Sequence, residues 1–456
     1  MSLRSAAFGL SQEARSQLME RLANRAGSQG RAPESASPRS VRSPLGDPEV
    51  REELRRVRNA GKILEIDNPF FRPHDGIAEA ETSIEGRRLL NLVSYNYLGL
   101  NGDARVAAAA KEAIDRYGTS VSASRIVSGE RPVHQALEAG LADLHGTEDC
   151  VAMVSGHATN VSVIGHLVGA GDAIVHDSLA HNSIIQGAML SGAQRLQFAH
   201  NDIDALQRVL RSVRPRVKRI LVVIEGHYSM DGDVPNLPRM IETVRHHDAY
   251  LMVDEAHSVG VLGATGRGVA EYFGVDPSGV DIWMGTLSKT LSGCGGYIAA
   301  SRDLIDYLRC SAPGFVYSVG LSPPVAAAAL AALTIMRNEP ERVQRLNANG
   351  RLFLEEARAA GLDTGSSIGA AIVPVILGSS IRAARVSDLL FRRGINVQPI
   401  LRPAVPERSA RLRFFLSSLH TPEQIRRAVT ETKQAIVEVE RMKLDLGTLA
   451  TLLSKN

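Results

Sequence analysis

The sequence predicts an α/β fold with a mainly parallel sheet, followed by a smaller α+β segment. Three observations carry this. From Val151 onward, short apolar runs alternate with amphipathic stretches and are separated by polar turns. After about Arg345 that alternation gives way to a long helical stretch and shorter mixed elements. No run reaches the roughly 18 apolar residues of a membrane-spanning helix; the most apolar helical stretch, Ala326 to Leu333, is short and reads as core.

Taken in order, residues 11–24 carry an apolar stripe through Leu18 and Leu22 and begin at Ser11-Gln-Glu, which suits a helix start. Residues 26–48 are rich in Gly, Ser, Pro and Arg without periodicity and read as a linker. Residues 1–65 are therefore expected to be an appendage, 66–345 a large domain and 346–456 a small C-terminal one. In the large domain the expected strands are Val151–Val154, Ala173–His176, Arg219–Glu225, Tyr250–Val253, Ile282–Gly285 and Tyr297–Ala300. Helices are expected between them at His157–Val168, Ser183–Ser191, Ile203–Val213 and Leu237–His246. The small domain is expected to hold a helix at Arg342–Ala360, apolar runs at Ala371–Leu377, Ile395–Pro399 and Leu412–Ser417, and helices at Ile381–Arg393 and from Pro422.

Bulk composition narrows the function. Of 456 residues, 44% are hydrophobic and 22% charged, which suits a globular enzyme. With 52 basic and 49 acidic residues the net charge is +3, too balanced for nucleic acid or an anionic membrane as the main partner. Cys150, Cys294 and Cys310 show no metal or redox spacing, which suggests buried free thiols in a reducing compartment. The first apolar stretch, Ala6 to Leu10, is too short for a signal peptide, so a cytoplasmic location is the expectation.

Two strand ends carry chemistry. The run Leu251-Met-Val-Asp254 delivers a carboxylate to the end of a strand, the side on which open α/β sheets bind ligands. Asp at a strand end is also a common helix cap, so alone this is weak. Trp283-Met-Gly-Thr286-Leu-Ser288-Lys289, followed by Gly293-Cys-Gly295-Gly296, sets a lysine among small and apolar residues. Such surroundings disfavour a charged amine and free it as a nucleophile, whereas an isolated Ser-Lys pair is usually a surface turn. The pair is more telling than either part. Pyridoxal phosphate (PLP) needs an aspartate to keep its pyridine nitrogen protonated and a lysine to form a Schiff base. The turn Ser155-Gly156-His157-Ala-Thr159-Asn160 opens an expected helix whose first amides suit the phosphate.

Together with these motifs, further segments make the chain resemble the α-oxoamine synthases, PLP enzymes of fold type I, from about Asn91 to Gln434. The resemblance runs through Tyr95-Asn-Tyr-Leu-Gly-Leu, Ser128-Gly129, Leu179-Ala-His181-Asn-Ser183, Glu225-Gly-His-Tyr-Ser229-Met-Asp-Gly, Val253-Asp-Glu-Ala-His257-Ser-Val-Gly, Gly266-Arg-Gly268 and Ala410-Arg-Leu-Arg413. It implies a catalytic set of Lys289, His181, Asp254 and His257. Lys289 would bear the Schiff base, Asp254 pair with the pyridinium, and His181 stack on the ring. Ser229 and His257 would bond the phenolic oxygen, while Gly156, His157 and Thr286 would hold the phosphate, with Ser318 reaching the phosphate of a second copy in a homodimer. Arg413 would grip an amino-acid carboxylate, and Tyr95 and Ser124 would contact substrate.

The implied reaction is a decarboxylative Claisen condensation of a small amino acid with an acyl thioester; a fold-type-I aminotransferase is the alternative. A subunit kept for assembly alone would be expected to lose the lysine or the aspartate. Three departures from the family pattern stand out. His157 replaces the usual Tyr or Phe, the turn Gly320-Leu-Ser-Pro-Pro324 is one residue longer than in several members, and Tyr95-Asn96 is closer to serine palmitoyltransferase. Ser124 stands where the glycine-specific members carry threonine, which implies room for Ala or Ser. Leu10 to Leu22 and the linker resemble segments that join modules in polyketide and nonribosomal peptide synthases, as does Gly314 to Pro324 the synthases found with them. The expected acyl donor is therefore an acyl carrier protein, docked by Arg51, Arg55, Arg56 and Arg58, or CoA; the alternative reading of residues 1–65 is an extension with no partner.

Overall fold

The computed structural model describes residues 66–402 and 404–442. The expected helix at 11–24, the linker at 26–48 and the arginines at 51–58 lie outside the described residues. Two compact units are present. The larger takes in His74–Pro374 and Phe414–Arg427; the smaller includes Val375–Arg413 and the chain from Ala428.

The larger unit opens with an antiparallel hairpin, β1 (Glu81–Ile84) and β2 (Arg87–Asn91), then helices α1 (Ala104–Tyr117) and α2 (Pro132–His145). Strands and helices then alternate: β3 (Asp149–Met153), α3 (Gly156–Leu167), β4 (Ala173–Asp177), α4 (Asn182–Leu190), β5 (Gln194–Phe198), α5 (Ile203–Val213), β6 (Ile220–Glu225), α6 (Leu237–His246), β7 (Tyr250–Asp254), α7 (Val269–Phe273), β8 (Ile282–Thr286) and β9 (Gly296–Ala300). Helices α8 (Arg302–Ser311), α9 (Pro313–Val316), α10 (Pro323–Asn338) and α11 (Glu341–Ala359) follow. Next come β10 (Ile372–Ile376), α12 (Ser380–Arg392), β11 (Ile395–Asn396), β12 (Gln398–Ile400), β13 (Arg411–Phe415) and α13 (Pro422–Arg441).

Seven strands form the central sheet in the order β3-β9-β8-β7-β6-β4-β5. The five from β5 to β8 run parallel; β9 lies antiparallel to both its neighbours. Residues 287–295 are too short a connection for a crossover, so β9 has to turn back on β8. All six residues of β6 are buried, because helices cover both faces of the sheet. Leu221 and Val223 point to the face that also holds Val163, Ile164, Ile184, Ile305 and Leu308 from α3, α4 and α8. Helix α5 shows the complementary pattern: Ile203, Leu206, Leu210 and Val213 are buried at helical spacing, and Asp202 caps its start by accepting from Ala205 N–H at 2.8 Å.

The expected α/β class with a mainly parallel sheet is what the chain adopts. The run expected at Ile395–Pro399 divides into two short strands. Of the cysteines expected to be buried, only Cys150, inside β3, is; Cys294 in the turn before β9 and Cys310 in α8 are exposed. Strand β5 was not expected: Gln194-Arg-Leu-Gln-Phe lies at the sheet edge, where three of its five side chains are exposed, so it lacks the apolar run that marks its neighbours.

From β4 the chain runs outward to β5 and then crosses back to β6, so the strand order reverses beside β4. A crevice is expected there, at the carboxyl ends of the strands.

Candidate active site

The residues that converge at those strand ends come from well-separated parts of the sequence. One pocket is lined by Gly156, His157, Asn160, His181, Ser183, Glu225, Asp254, Ala256, His257, Met284, Thr286 and Lys289. Asp254 is the last residue of β7, aligned with Glu225 at the end of β6; both carboxyl groups are buried. Asp254 Oδ2 accepts from Asn160 Nδ2 at 2.8 Å and Oδ1 from Ala256 N–H at 2.9 Å.

Asn160 sits in the second turn of α3, whose start is capped by Ser155. Its amide donates to Ser183 Oγ as well, at 3.0 Å. Ser183 Oγ lies 2.7 Å from His181 Nδ1, which also accepts from Ser183 N–H at 3.3 Å. These contacts leave the proton of a neutral His181 ring on Nε2. His181 caps α4, and its own N–H donates to Glu225 Oε1 at 2.7 Å. One chain of neutral donors thus fixes the Asp254 carboxylate and the His181 ring together.

Burial pushes Glu225 up to about 8, helped by the negative charge of Asp254 and opposed by the His181 N–H and the Lys289 amine. Glu255, beside Asp254, is raised to about 7 by burial, although it accepts from Val269 N–H. Lys289 follows β8, and its Nζ lies 5.8 Å from the centre of the Tyr95 ring. Tyr95 in turn meets His257 edge-on at 6.0 Å. The buried Tyr97 hydroxyl lies 2.7 Å from His257 Nδ1. The exposed His157 ring stands nearly perpendicular to that of His181, with centres 6.3 Å apart.

The start of α3 presses against the turn after β8. A Cβ added to Gly156 would come within 2.8 Å of Thr286 Oγ1, and one added to Gly296 within 2.6 Å of Gly156 Cα. Thr286 Oγ1 donates to Gly295 O at 2.9 Å and accepts from Ser288 N–H at 3.2 Å. The result is a cradle of backbone N–H groups and hydroxyls too tight for a side chain.

Of the sequence-predicted residues, Gly156, His157, His181, Asp254, His257, Thr286 and Lys289 line this pocket, with Tyr95 beside Lys289. Ser229 lies in the turn after β6 and is nearly buried. Ser124 donates to Val316 O at 2.7 Å, and the half-buried Ser318 to Val319 O at 3.1 Å; neither is among the lining residues. Arg413 belongs to the smaller unit, on β13, opposite Gln398 of β12. Asn160, Ser183 and Glu225 have no role among the sequence expectations, although each stands within one of the motifs. Their signal is the polar residue placed inside an otherwise apolar helix or strand end.

Comparison with known proteins matches residues 87–431 to the family model described as Aminotransferase class I and II. An 8-amino-7-oxononanoate synthase of Symbiobacterium thermophilum is 40% identical, over 83% of this chain and 95% of that enzyme. A serine palmitoyltransferase of Sphingobacterium spiritivorum is 36% identical, over 81% and 92%. Among solved structures, the Sphingomonas wittichii serine palmitoyltransferase superposes with a TM-score of 0.81 at 31% identity, covering 85% of this chain and 98% of that one. The chain belongs to the class I and II aminotransferase family and, within it, to the α-oxoamine synthases. It is a PLP-dependent acyl-transferring enzyme of fold type I, and its relatives do not favour the aminotransferase alternative.

The pocket fits PLP. A buried carboxylate held by neutral donors suits a protonated pyridine nitrogen, the glycine cradle suits a phosphate, and a lysine lines the same pocket.

Proposed function

We propose that Lys289 holds PLP through Nζ and that Asp254 keeps the pyridine nitrogen protonated. In this reading His181 covers one face of the ring, His257 and Ser229 bond the phenolic oxygen, and Gly156, His157 and Thr286 receive the phosphate. The observation that carries it is the Asn160 amide, which bonds Asp254 directly and His181 through Ser183, so that the two groups meant for one ring are set by one side chain. When bound, PLP supplies the electron sink that makes the α-carbon of an amino acid acidic.

The chain's own residues then bind and move protons. Arg413 grips the amino-acid carboxylate with its paired donors. Lys289 Nζ takes the α-proton and later returns a proton to the same carbon. Between these events the α-carbon attacks the acyl thioester: a C–C bond forms as the C–S bond breaks, and the thiol leaves. The carboxylate departs as CO₂. Amino acid plus acyl thioester give an α-amino ketone, CO₂ and free thiol.

The substrates are proposed to be Ala or Ser, on the strength of Ser124, and an acyl chain carried by an acyl carrier protein in a polyketide-type pathway. Tyr95 would contact the amino acid. The working form is a cytoplasmic homodimer to which Ser318 contributes across the interface. The test is product mass spectrometry of an amino-acid panel against one acyl chain on CoA and on a carrier protein, at low and high salt. Amino ketone with stoichiometric thiol and CO₂ is expected, favouring Ala or Ser and the carrier donor, with salt weakening the carrier reaction. Keto-acid formation without thiol release would overturn the reaction, and equal, salt-independent use of both donors the carrier.

A further inference from the structure

We propose that His200, bridging the Asp177 and Asp233 carboxylates, is a positioning residue that clasps together the two turns flanking the cofactor. This rests on the reading that His181 and Ser229 touch PLP. His200 Nδ1 lies 2.9 Å from Asp177 Oδ1, and Nε2 lies 2.8 Å from Asp233 Oδ2. Asn201 doubles the link: its N–H donates to Asp177 Oδ2 at 2.9 Å and its amide to Asp233 Oδ2 at 2.9 Å.

Each carboxylate organises one turn. Asp177 ends β4, accepts from Leu179 N–H at 2.8 Å through its side chain and from Ala180 N–H at 3.1 Å through its carbonyl. That turn delivers His181. Asp233 closes the turn after β6: its carbonyl accepts from Tyr228 N–H at 3.0 Å, while Gly232 N–H donates to Tyr228 O at 2.9 Å. That turn carries Ser229. Gly232 has φ +68°, and a Cβ there would lie 2.2 Å from Ile372 O, so this turn has a single backbone route.

The bridge is a charged one. Asp177 is fully buried and Asp233 nearly so, and Tyr228 packs edge-to-face on the His200 ring at 4.5 Å. Burial works against the imidazolium, but the hydrogen bonds to Asp177 and Asp233 outweigh it and raise His200 to about 10. At neutral pH the ring therefore donates from both nitrogens and sets a positive charge between the two buried carboxylates. An imidazole is rigid, so the distance between the two carboxylates, and with it the spacing of the two turns, is fixed by the ring.

The test is PLP titration of the cofactor-free protein, read by visible absorbance and by circular dichroism in the cofactor band. His200→Gln, which keeps one donor and loses the charge and the second bond, should weaken PLP at least about tenfold and alter the cofactor dichroism. Asp233→Asn should do the same, and the double variant should lose no more than the worse single one. Wild-type affinity and dichroism in a folded single variant, or losses that add, would overturn the clasp. In the wild-type protein, PLP should slow amide hydrogen exchange at 178–181 and 228–233 together, and protection of one turn without the other would overturn it too. Lys289→Ala separates the two readings. If it binds PLP as wild type does, the site assignment fails; if it loses the covalent cofactor while His200→Gln keeps wild-type affinity, only the clasp falls.

Discussion

Two of the regions in which the larger unit buries carboxylates treat them in opposite ways. Behind β3, Glu138 is ion-paired to the buried Arg125 and, at 3.1 Å, to Arg309; it also accepts from Ala152 N–H at 2.7 Å. Arg125 is held on its other edge by Glu130 at 2.6 Å, and Arg309 by Asp149 at 2.8 Å. Two guanidinium groups close that cluster within the chain. At the carboxyl ends of β6 and β7, Glu225 and Asp254 accept instead from an amide side chain and backbone N–H groups. Burial and the neighbouring Asp254 charge push Glu225 up to about 8, against the pull of the His181 N–H. Buried negative charge met by neutral donors is a site arranged for an incoming cation; buried charge met by arginine is structure.

The sharpest way to break this contrast is at Asp254. Asp254→Asn keeps the shape and loses the charge, so turnover should fall by on the order of 10²–10³-fold, the usual effect of losing one preorganised electrostatic partner. The fold should stay intact, as read by steady-state kinetics beside thermal melts. A variant that melts early but turns over normally would place Asp254 in the structural class.

The mirror experiment is Glu138→Gln. It leaves Arg125 and Arg309 short of a buried counter-charge and should destabilise the protein by about 3–5 kcal/mol. Denaturant unfolding measures this, while the PLP absorbance of the folded fraction should stay that of the wild type. A shifted cofactor spectrum would mean the two regions are coupled.

A subtler difference appears with pH. Glu225 is raised from 4.5 to about 8 in the folded protein, so between those values the folded state holds a proton that the unfolded chain has released. Stability of the cofactor-free protein is therefore lost as pH rises through that window, by on the order of a few kcal/mol. Glu255, raised to about 7, acts with the same sign. Glu225→Gln should flatten, without abolishing, the fall in melting temperature from pH 5 to 9. An unchanged slope would show that Glu225 ionises normally. The smallest effect belongs to the exposed pair Arg426–Glu356, 3.1 Å apart, where Arg426→Ala should cost less than about 1 kcal/mol.

The fold class and many of the residues that line the pocket are legible in the sequence. Strands covered on both faces appear as unbroken apolar runs, so Ile220–Glu225 and Tyr250–Asp254 were readable to within a residue, and the carboxylates at their ends with them. Lys289 stood out because a lysine among small and apolar residues is a local anomaly. Tertiary structure decided what no local pattern encodes. The direction of β9 follows from a short connection, and β5 from an edge position that needs little apolar surface. Asn160 meets Asp254 across 94 positions of sequence, and His200 meets Asp233 across 33, because the strand order carries distant turns to one end of the sheet. The ionisation of Glu225 was equally illegible. A carboxylate's charge depends on which dipoles and charges surround it once water has gone, and that neighbourhood exists only after the chain has folded.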